Sequence, residues 1–275
     1  MISAYIIHNP HICHSIRFFH NKIPIVIKNT NSDRILVGRK PVLDALQGGD
    51  QLEKVWIDSK IKGDFEKDIR ALTRESSTPL QYIPREKLNS LSGNSNHQGI
   101  AAQLSIVEYQ TLEELLPFLY EQGKTPAILV LDGVEDVRNI GALARSAVWF
   151  GFDGIVVPMK RTARINSFAY KSSAGAIKDI PVCRVSSLTK ALELMKTSGL
   201  TLVLADSNDN EKPGTPNLTE PIALIMGSEN KGVAREVKQM ADDIMTIPGS
   251  GKVDSLNVSV AGAVLMYQIF EARNK

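Results

Sequence analysis

Hydrophobic and polar residues alternate in blocks along most of the chain. Short apolar runs that read as strands are followed by stretches with apolar positions three and four apart, the spacing of a helix face. From residue 35 the pattern predicts a strand over Ile35 to Val37, then a helix opened by Pro41 in its first turn. "KVWID" reads as a second strand, "DFEKDIRALTRES" as a helix with Phe65, Ile69 and Leu72 on one face, "LQYIP" as a strand and "REKLNSL" as a helix. "GNSNHQGIAAQLSIV" gives a polar loop and another strand. "TLEELLPFLYEQGKTP" reads as a linking helix ended by Gly123 and Pro126. Then "AILVL", "GIVVP", "IPVCRV", "LTLVLAD", "PIALIMG" and "IMTIP" read as strands, the first of them apolar throughout, as strands buried on both faces are. Helices are expected at "NIGALARSAVWFGF", at "LTKALELMKTS" and from about Ser255 to Ala272. The expected fold class is α/β, with an open and mostly parallel sheet in the C-terminal part and a small α/β unit before it. The divisions expected are an extension over 1–31, a small domain over 32–107, a linker over 108–125 and a larger domain over 126–275.

Composition narrows this picture only slightly. The chain has 275 residues, 43% hydrophobic and 23% charged, with a net charge of +2. A near-neutral body does not by itself announce nucleic acid, so any RNA contact has to be local. No apolar run approaches the roughly 18 residues that span a bilayer. The two cysteines, Cys13 and Cys183, form no CxxC, which suits a reducing cytoplasm and gives no zinc knuckle. The first 31 residues hold four of the five histidines and no acid. His8, His11, His14 and Cys13 have a spacing that could hold a metal; a leader without structure explains them equally, and no metal site is assigned.

In parallel sheets, ligands bind beyond the C-terminal ends of strands. Three such ends carry unusual residues: the stretch containing Asn139, Gly141 and Arg145; "GSENKG", with Gly227, Ser228 and Glu229; and "IPGSGKVDSLNVS", with Ser255, Leu256, Asn257 and Ser259. The Gly-Ser-Gly-Lys of the last is no phosphate loop. Thr246 stands where its first glycine belongs and Val253 where a magnesium-binding hydroxyl belongs. The only G-x-G, Gly249-Ser250-Gly251, lacks the third glycine of a dinucleotide site.

Taken in order, N-x-G-x3-R, G-S-E-x2-G and I-P-x6-SLNVS resemble the SpoU/TrmH family of RNA ribose 2′-O-methyltransferases (the SPOUT fold). The likeness covers residues 126–270. "VGRKPVLDAL" and "HQGIAA" resemble the small RNA-binding domain of members that act on a guanosine of 23S rRNA. The resemblance implies a deep trefoil knot and S-adenosylmethionine as methyl donor, held by backbone groups at Gly227, Ile247 and Leu256. It also implies a homodimer in which Asn139 and Arg145 of one subunit complete the site of the other, and RNA as partner, with no membrane. Gly249 departs from the methionine often found after Ile-Pro, and a glycine loosens that loop.

The catalytic set expected is Arg145, Asn139, Glu229, Ser255 and Asn257. The family assigns its arginine to activating the 2′-hydroxyl. A guanidinium with a pKa above about 12 suits orientation of the ribose-phosphate and stabilisation of alkoxide charge better than proton removal. Asn139 also suits a helix cap, Glu229 the first turn of a following helix, and Ser255 or Asn257 the cap of the last helix. The last helix, apolar almost all round, reads as a buried one. "MKRTARINSFAYKSSAGAIK" carries Lys160, Arg161, Arg164 and Lys171 interleaved with Phe168, Tyr170, Ser172 and Ser173, which suits phosphate contact with stacking. His97 and Gln98 are either RNA contacts or turn stabilisers. A catalytically silent RNA-binding protein on the same scaffold would not need this polar set intact.

Overall fold

A computed structural model describes residues 35–76, 78–162, 165–206, 216–229, 231–253 and 255–275. The expectations for residues 1–31 and for Arg164 lie outside these residues.

The N-terminal unit contains β1 (Ile35–Val37), α1 (Arg39–Gln47), β2 (Leu52–Asp58), α2 (Asp64–Glu75), β3 (Leu80–Ile83), α3 (Arg85–Ser92) and β4 (Ile100–Leu104). Its sheet has the order β1-β4-β2-β3. β2 and β3 are parallel, while β4 runs antiparallel to both β1 and β2, so the unit is mixed rather than parallel. Leu36, Val55, Ile100 and Ala102 pack against α1 and α2 on one face; Trp56, Ile83 and Ala101 pack against Leu88 of α3 on the other.

The C-terminal unit begins earlier than residue 126. β5 (Tyr109–Gln110) and α4 (Leu112–Glu121) occupy the expected linker, and both join the larger body. β5 is the edge strand beside β8, and Leu112, Leu115, Leu116 and Leu119 of α4 are buried. The chain continues through β6 (Ala127–Asp132), α5 (Val137–Trp149), β7 (Gly154–Pro158), α6 (Ser167–Ser172), β8 (Val182–Val185), α7 (Leu188–Thr197) and β9 (Thr201–Ala205). It ends with β10 (Ile222–Gly227), α8 (Arg235–Lys238), β11 (Asp243–Met245) and α9 (Val258–Arg273). The strand order is β11-β9-β10-β6-β7-β8-β5, and every pairing is parallel. All strand C-termini therefore share one edge.

Side-chain alternation along β6 explains the three layers. Leu129 and Leu131 point to the α5, α6 and α9 side, while Ile128 and Val130 point to the α4, α7 and α8 side. Two motif glycines permit close helix packing. A Cβ at Gly141 would lie 1.9 Å from Ser172 Oγ of α6, and one at Gly262 would lie 2.3 Å from Leu143 of α5.

Two polar contacts fix the edges. The Gln51 side chain accepts from the Tyr109 N–H (2.6 Å) and donates to its carbonyl (2.7 Å), tying the small unit to β5. At the far end of the chain, the Arg273 guanidinium donates to the carbonyls of Leu218, Thr125, Pro126 and Glu220, closing α9 against the entrances to β6 and β10.

α9 is not buried all round, as its composition suggested. Val258, Gly262, Leu265, Met266 and Ile269 are buried against the sheet, but Val260, Tyr267 and Phe270 stand 50%, 49% and 39% exposed. The outer face is apolar and uncovered in a single chain.

Candidate active site

The site forms where three loops meet at the C-terminal edge of the seven-stranded sheet. Asp132 closes β6, and its carboxylate accepts from the Ala234 N–H at 2.7 Å, which pulls the loop after β10 across the strand ends. That loop turns back on itself through paired Ser228 and Gly232 backbones (3.0 and 2.8 Å). Gly227 is needed for this crossing, because a Cβ there would lie 2.4 Å from the Gly232 carbonyl carbon and 2.5 Å from the Val233 nitrogen. The turn places Glu229 over the starts of α5 and α9.

Glu229 is the hub. Its Oε1 accepts from Asn139 Nδ2 (3.1 Å), from the Val258 N–H (3.3 Å) and from Asn257 Nδ2. Asn257 Nδ2 also donates to Asn139 Oδ1 at 3.2 Å. Asn257 Oδ1 caps α9, accepting from the Ser259 N–H (2.9 Å) and hydroxyl (2.5 Å). Residues from three sequence-distant motifs are thus interlocked through one carboxylate, and each amide is fixed in orientation by the others.

Several local expectations change. The cap of α5 is Asp136, not Asn139: its carboxylate accepts from the Arg138 N–H at 2.8 Å, and Asn139 lies within the first turn. The hydrogen-bonded Arg138 side chain holds Asp136 below the usual carboxylate range. Glu229 is in a tight turn, not in a helix, since α8 begins only at Arg235. Asn257 caps α9, whereas Ser255 is exposed in the preceding loop and outside the Asn139–Glu229–Asn257 cluster.

Arg145 is also outside that cluster. It is exposed on α5, six residues beyond Asn139, hence about 9 Å along the axis and about 120° around it. It shares a stripe with Gly141, the residue in contact with α6, so it faces the basic segment after β7. In that segment Lys160 and Arg161 are exposed, and Lys171 is exposed on α6. Phe168 is 65% exposed and open for stacking. The serines are not: Ser173 is fully buried with its hydroxyl donating to Tyr170 O, and Ser172 Oγ donates to Phe168 O, so both serve the local turn.

The loops after β6 and β10, with Val258 at the start of α9, border a cleft of about 200 Å³. Glu135, Asp136, Asn139, Glu229 and Lys231 supply its polar lining, with Val258 below. Glu135, Asp136 and Lys231 escaped sequence reasoning; the acid pair just before "RNIG" was the available signal. The expected cofactor residues lie on the same edge: Gly227 ends β10, half-buried Ile247 follows β11, and exposed Leu256 leads into α9. A glycine cradle with backbone groups at close quarters, beside acids that favour a cation, fits a sulfonium nucleoside. Among the described residues, no His/Cys/Asp/Glu group could hold a metal.

The fold and this edge define a class of parallel α/β proteins with a polar junction between three strand-end loops. Comparison with known proteins gives the class its family. The SpoU rRNA Methylase family profile matches residues 126–267, and the profile for RNA 2′-O ribose methyltransferase substrate binding matches residues 35–110. The chain is 37% identical over 240 residues to a putative TrmH family tRNA/rRNA methyltransferase, YacO, of Bacillus subtilis, covering 87% of this chain and 96% of that one. It is 34% identical to a putative TrmH family tRNA/rRNA methyltransferase of Staphylococcus saprophyticus, with the same coverage of both chains. Its fold matches the SpoU methyltransferase AviRb from Streptomyces viridochromogenes, solved in complex with AdoMet, with a TM-score of 0.54 at 19% identity over 88% of this chain and 91% of that one. The chain belongs to the SpoU/TrmH family of RNA ribose 2′-O-methyltransferases, enzymes that take their methyl group from S-adenosylmethionine.

Proposed function

We propose that the chain methylates the ribose 2′-hydroxyl of a guanosine in 23S rRNA, in the cytoplasm and as a homodimer. The observation that carries the catalytic part of this reading is the Glu229 junction, which locks Asn139 and Asn257 at the mouth of the cleft. S-adenosylmethionine, when bound, supplies an electrophilic methyl group. Gly227, Ile247 and Leu256 would hold it in the knotted loops of this edge. Arg145 orients the ribose-phosphate and stabilises negative charge on the 2′-oxygen. Asn139 and Asn257, fixed by Glu229, position the sugar, and Ser255 completes the polar loop before α9. Lys160, Arg161, Arg164 and Lys171 grip the RNA backbone beside them.

The dimer has its own support. Trp149 is 80% exposed, and Phe150 stacks edge-on with Tyr267 (6.0 Å) and lies 5.9 Å from Phe270. An apolar surface this continuous across α5 and α9 fits a second copy of the chain. Pairing there would bring the partner's α5, with its exposed arginine, to this site.

The test is a map of ribose methylation in rRNA and tRNA from cells with and without the gene. Loss of one methyl at a 23S guanosine is the expected result. Loss from tRNA moves the substrate, and an unchanged map in both pools removes the reading. Calorimetry with S-adenosylmethionine separates a silent scaffold, which would bind none.

A further inference from the structure

The small domain has a polarised sheet. β1, β2 and β3 run the same way, opposite to β4, so their C-terminal ends and the start of β4 form one rim. Hydrogen bonds close it: Gly38 N–H to Ile100 O (3.2 Å), Asp58 N–H to Gly99 O (2.9 Å) and Ser59 N–H to Ile83 O (3.0 Å). All three helices of this domain start from the rim. Arg39, Lys40, Lys60, Lys62, Arg85 and Lys87 stand exposed there. None of them is ion-paired with another described residue. Asp64 shares the rim but is paired with Lys67 at 3.1 Å, exposed Glu86 stands between Arg85 and Lys87 in the first turn of α3, and the buried Asp58 carboxylate accepts from the Lys60 N–H at 3.0 Å.

At the centre of these cations the Arg39 guanidinium lies 4.2 Å over the Phe65 ring. Gln98 fixes it there, accepting from the Arg39 N–H (3.1 Å) and, through its own carbonyl, from Arg39 Nε (3.3 Å). Gln98 does so with φ of 48°, a left-handed conformation uncommon outside glycine. His97 buttresses the turn, its ring bonded to Asn89 Oδ1 (2.7 Å) and the Gly99 N–H (2.9 Å). A planar cation held over a ring offers a stacking surface for a nucleobase, and the flanking lysines suit phosphates. The opposite edge, where the chain leaves for the methyltransferase domain, carries Asp50 and Glu75, with Arg74 beside Glu75.

We infer that this rim grips unpaired nucleotides of the substrate RNA, with Arg39 on Phe65 as a base platform and Lys60 and Lys62 on the backbone; the inference rests on the RNA methyltransferase reading above. β2 alone separates the rim from the domain junction by about 20 Å. An RNA engaging both the rim and the catalytic cleft therefore carries its unpaired segment several nucleotides away from the methylated ribose.

The test uses the full chain, a synthetic hairpin with a long unpaired loop and a blunt duplex of equal length. Lys60→Gln with Lys62→Gln should weaken hairpin binding about tenfold and flatten the dependence of log K on log salt by about 1 to 2. Arg39→Lys keeps the charge but loses the planar stack, and should weaken the hairpin about tenfold while leaving the duplex unchanged. An unchanged salt slope in the double lysine variant overturns the rim, and full hairpin affinity in Arg39→Lys overturns the platform. Methyl transfer to rRNA and tRNA from gene-deleted cells is measured alongside. In that assay the rim variants should raise KM for RNA with kcat retained, whereas an inactive wild type removes the methyltransferase reading and leaves the binding result to stand or fall by itself.

Discussion

The C-terminal edge of the seven-stranded sheet and the rim of the small sheet both gather polar residues at strand ends, yet they treat them in opposite ways. At the large edge, Asn139, Glu229, Asn257 and Ser259 satisfy one another, so their directions are fixed before any ligand arrives. At the small rim the charges are left open, with only Arg39 held in place. Polar groups that must position a sugar within a fraction of an ångström need partners of their own. Groups that hold a flexible polyanion do better free to follow it.

Arg145 is where this contrast is sharpest, because it lies on the same helix as Asn139 but is as open as the rim. Arg145→Ala should lower single-turnover methyl transfer by about 10²- to 10³-fold with the fold intact, the magnitude for loss of a charge-stabilising donor. Arg145→Lys should recover little of it; a lysine variant with most of the wild-type rate would place Arg145 among the merely phosphate-holding cations. Next in size is Glu229→Gln. It keeps an accepting oxygen for Asn139, Asn257 and the Val258 N–H but removes the negative charge that strengthens all three bonds, and a drop in kcat of about tenfold is expected. An unaffected kcat with an unaltered melting temperature would show that the junction positions nothing. Tyr267→Asp tests the apolar face: sedimentation should show a monomer, with methyl transfer lost in proportion and cofactor binding retained on the separated chain only if the site is not shared. The smallest effect lies on the other side of the sheet. Burial pushes the Cys183 thiol from 9.0 up to about 12. Its proton is held more tightly in the folded than in the unfolded chain. Its stabilising contribution is therefore complete below pH 9 and is lost as pH rises from there towards 12. In a Cys13→Ser background, maleimide at pH 8 should label nothing until urea is added.

Much of this architecture was legible in the sequence. Strands such as "AILVL" and "PIALIMG" declare themselves because burial on both faces leaves no polar position, and the polar residues after β6, β10 and β11 pointed to their shared edge as the candidate site. What escaped was set by tertiary contact. α6 and α8 are too short for a helical period to register, and α6 is held by Gly141 of a distant helix rather than by its own pattern. β5 has two residues and exists because β8 offers it an edge. The antiparallel course of β4 is invisible to alternation, which reports faces and not directions. Asn139 was read as a possible cap because Asn favours caps, but Asp136 three residues earlier reaches the free N–H groups first. The composition of α9 said buried, and only the coordinates separate the face against the sheet from the face left for another surface.

Arg273 sets a limit on how the chain can be made. Its guanidinium gathers carbonyls at residues 125, 126, 218 and 220, so the entrances to β6 and β10 are sealed by a residue 53 to 148 positions further along the chain. During synthesis the small domain can mature early, whereas the larger one stays open until α9 has been made. Arg273→Ala should therefore leave a protein whose N-terminal unit folds normally beside a larger unit with unsealed strand entrances.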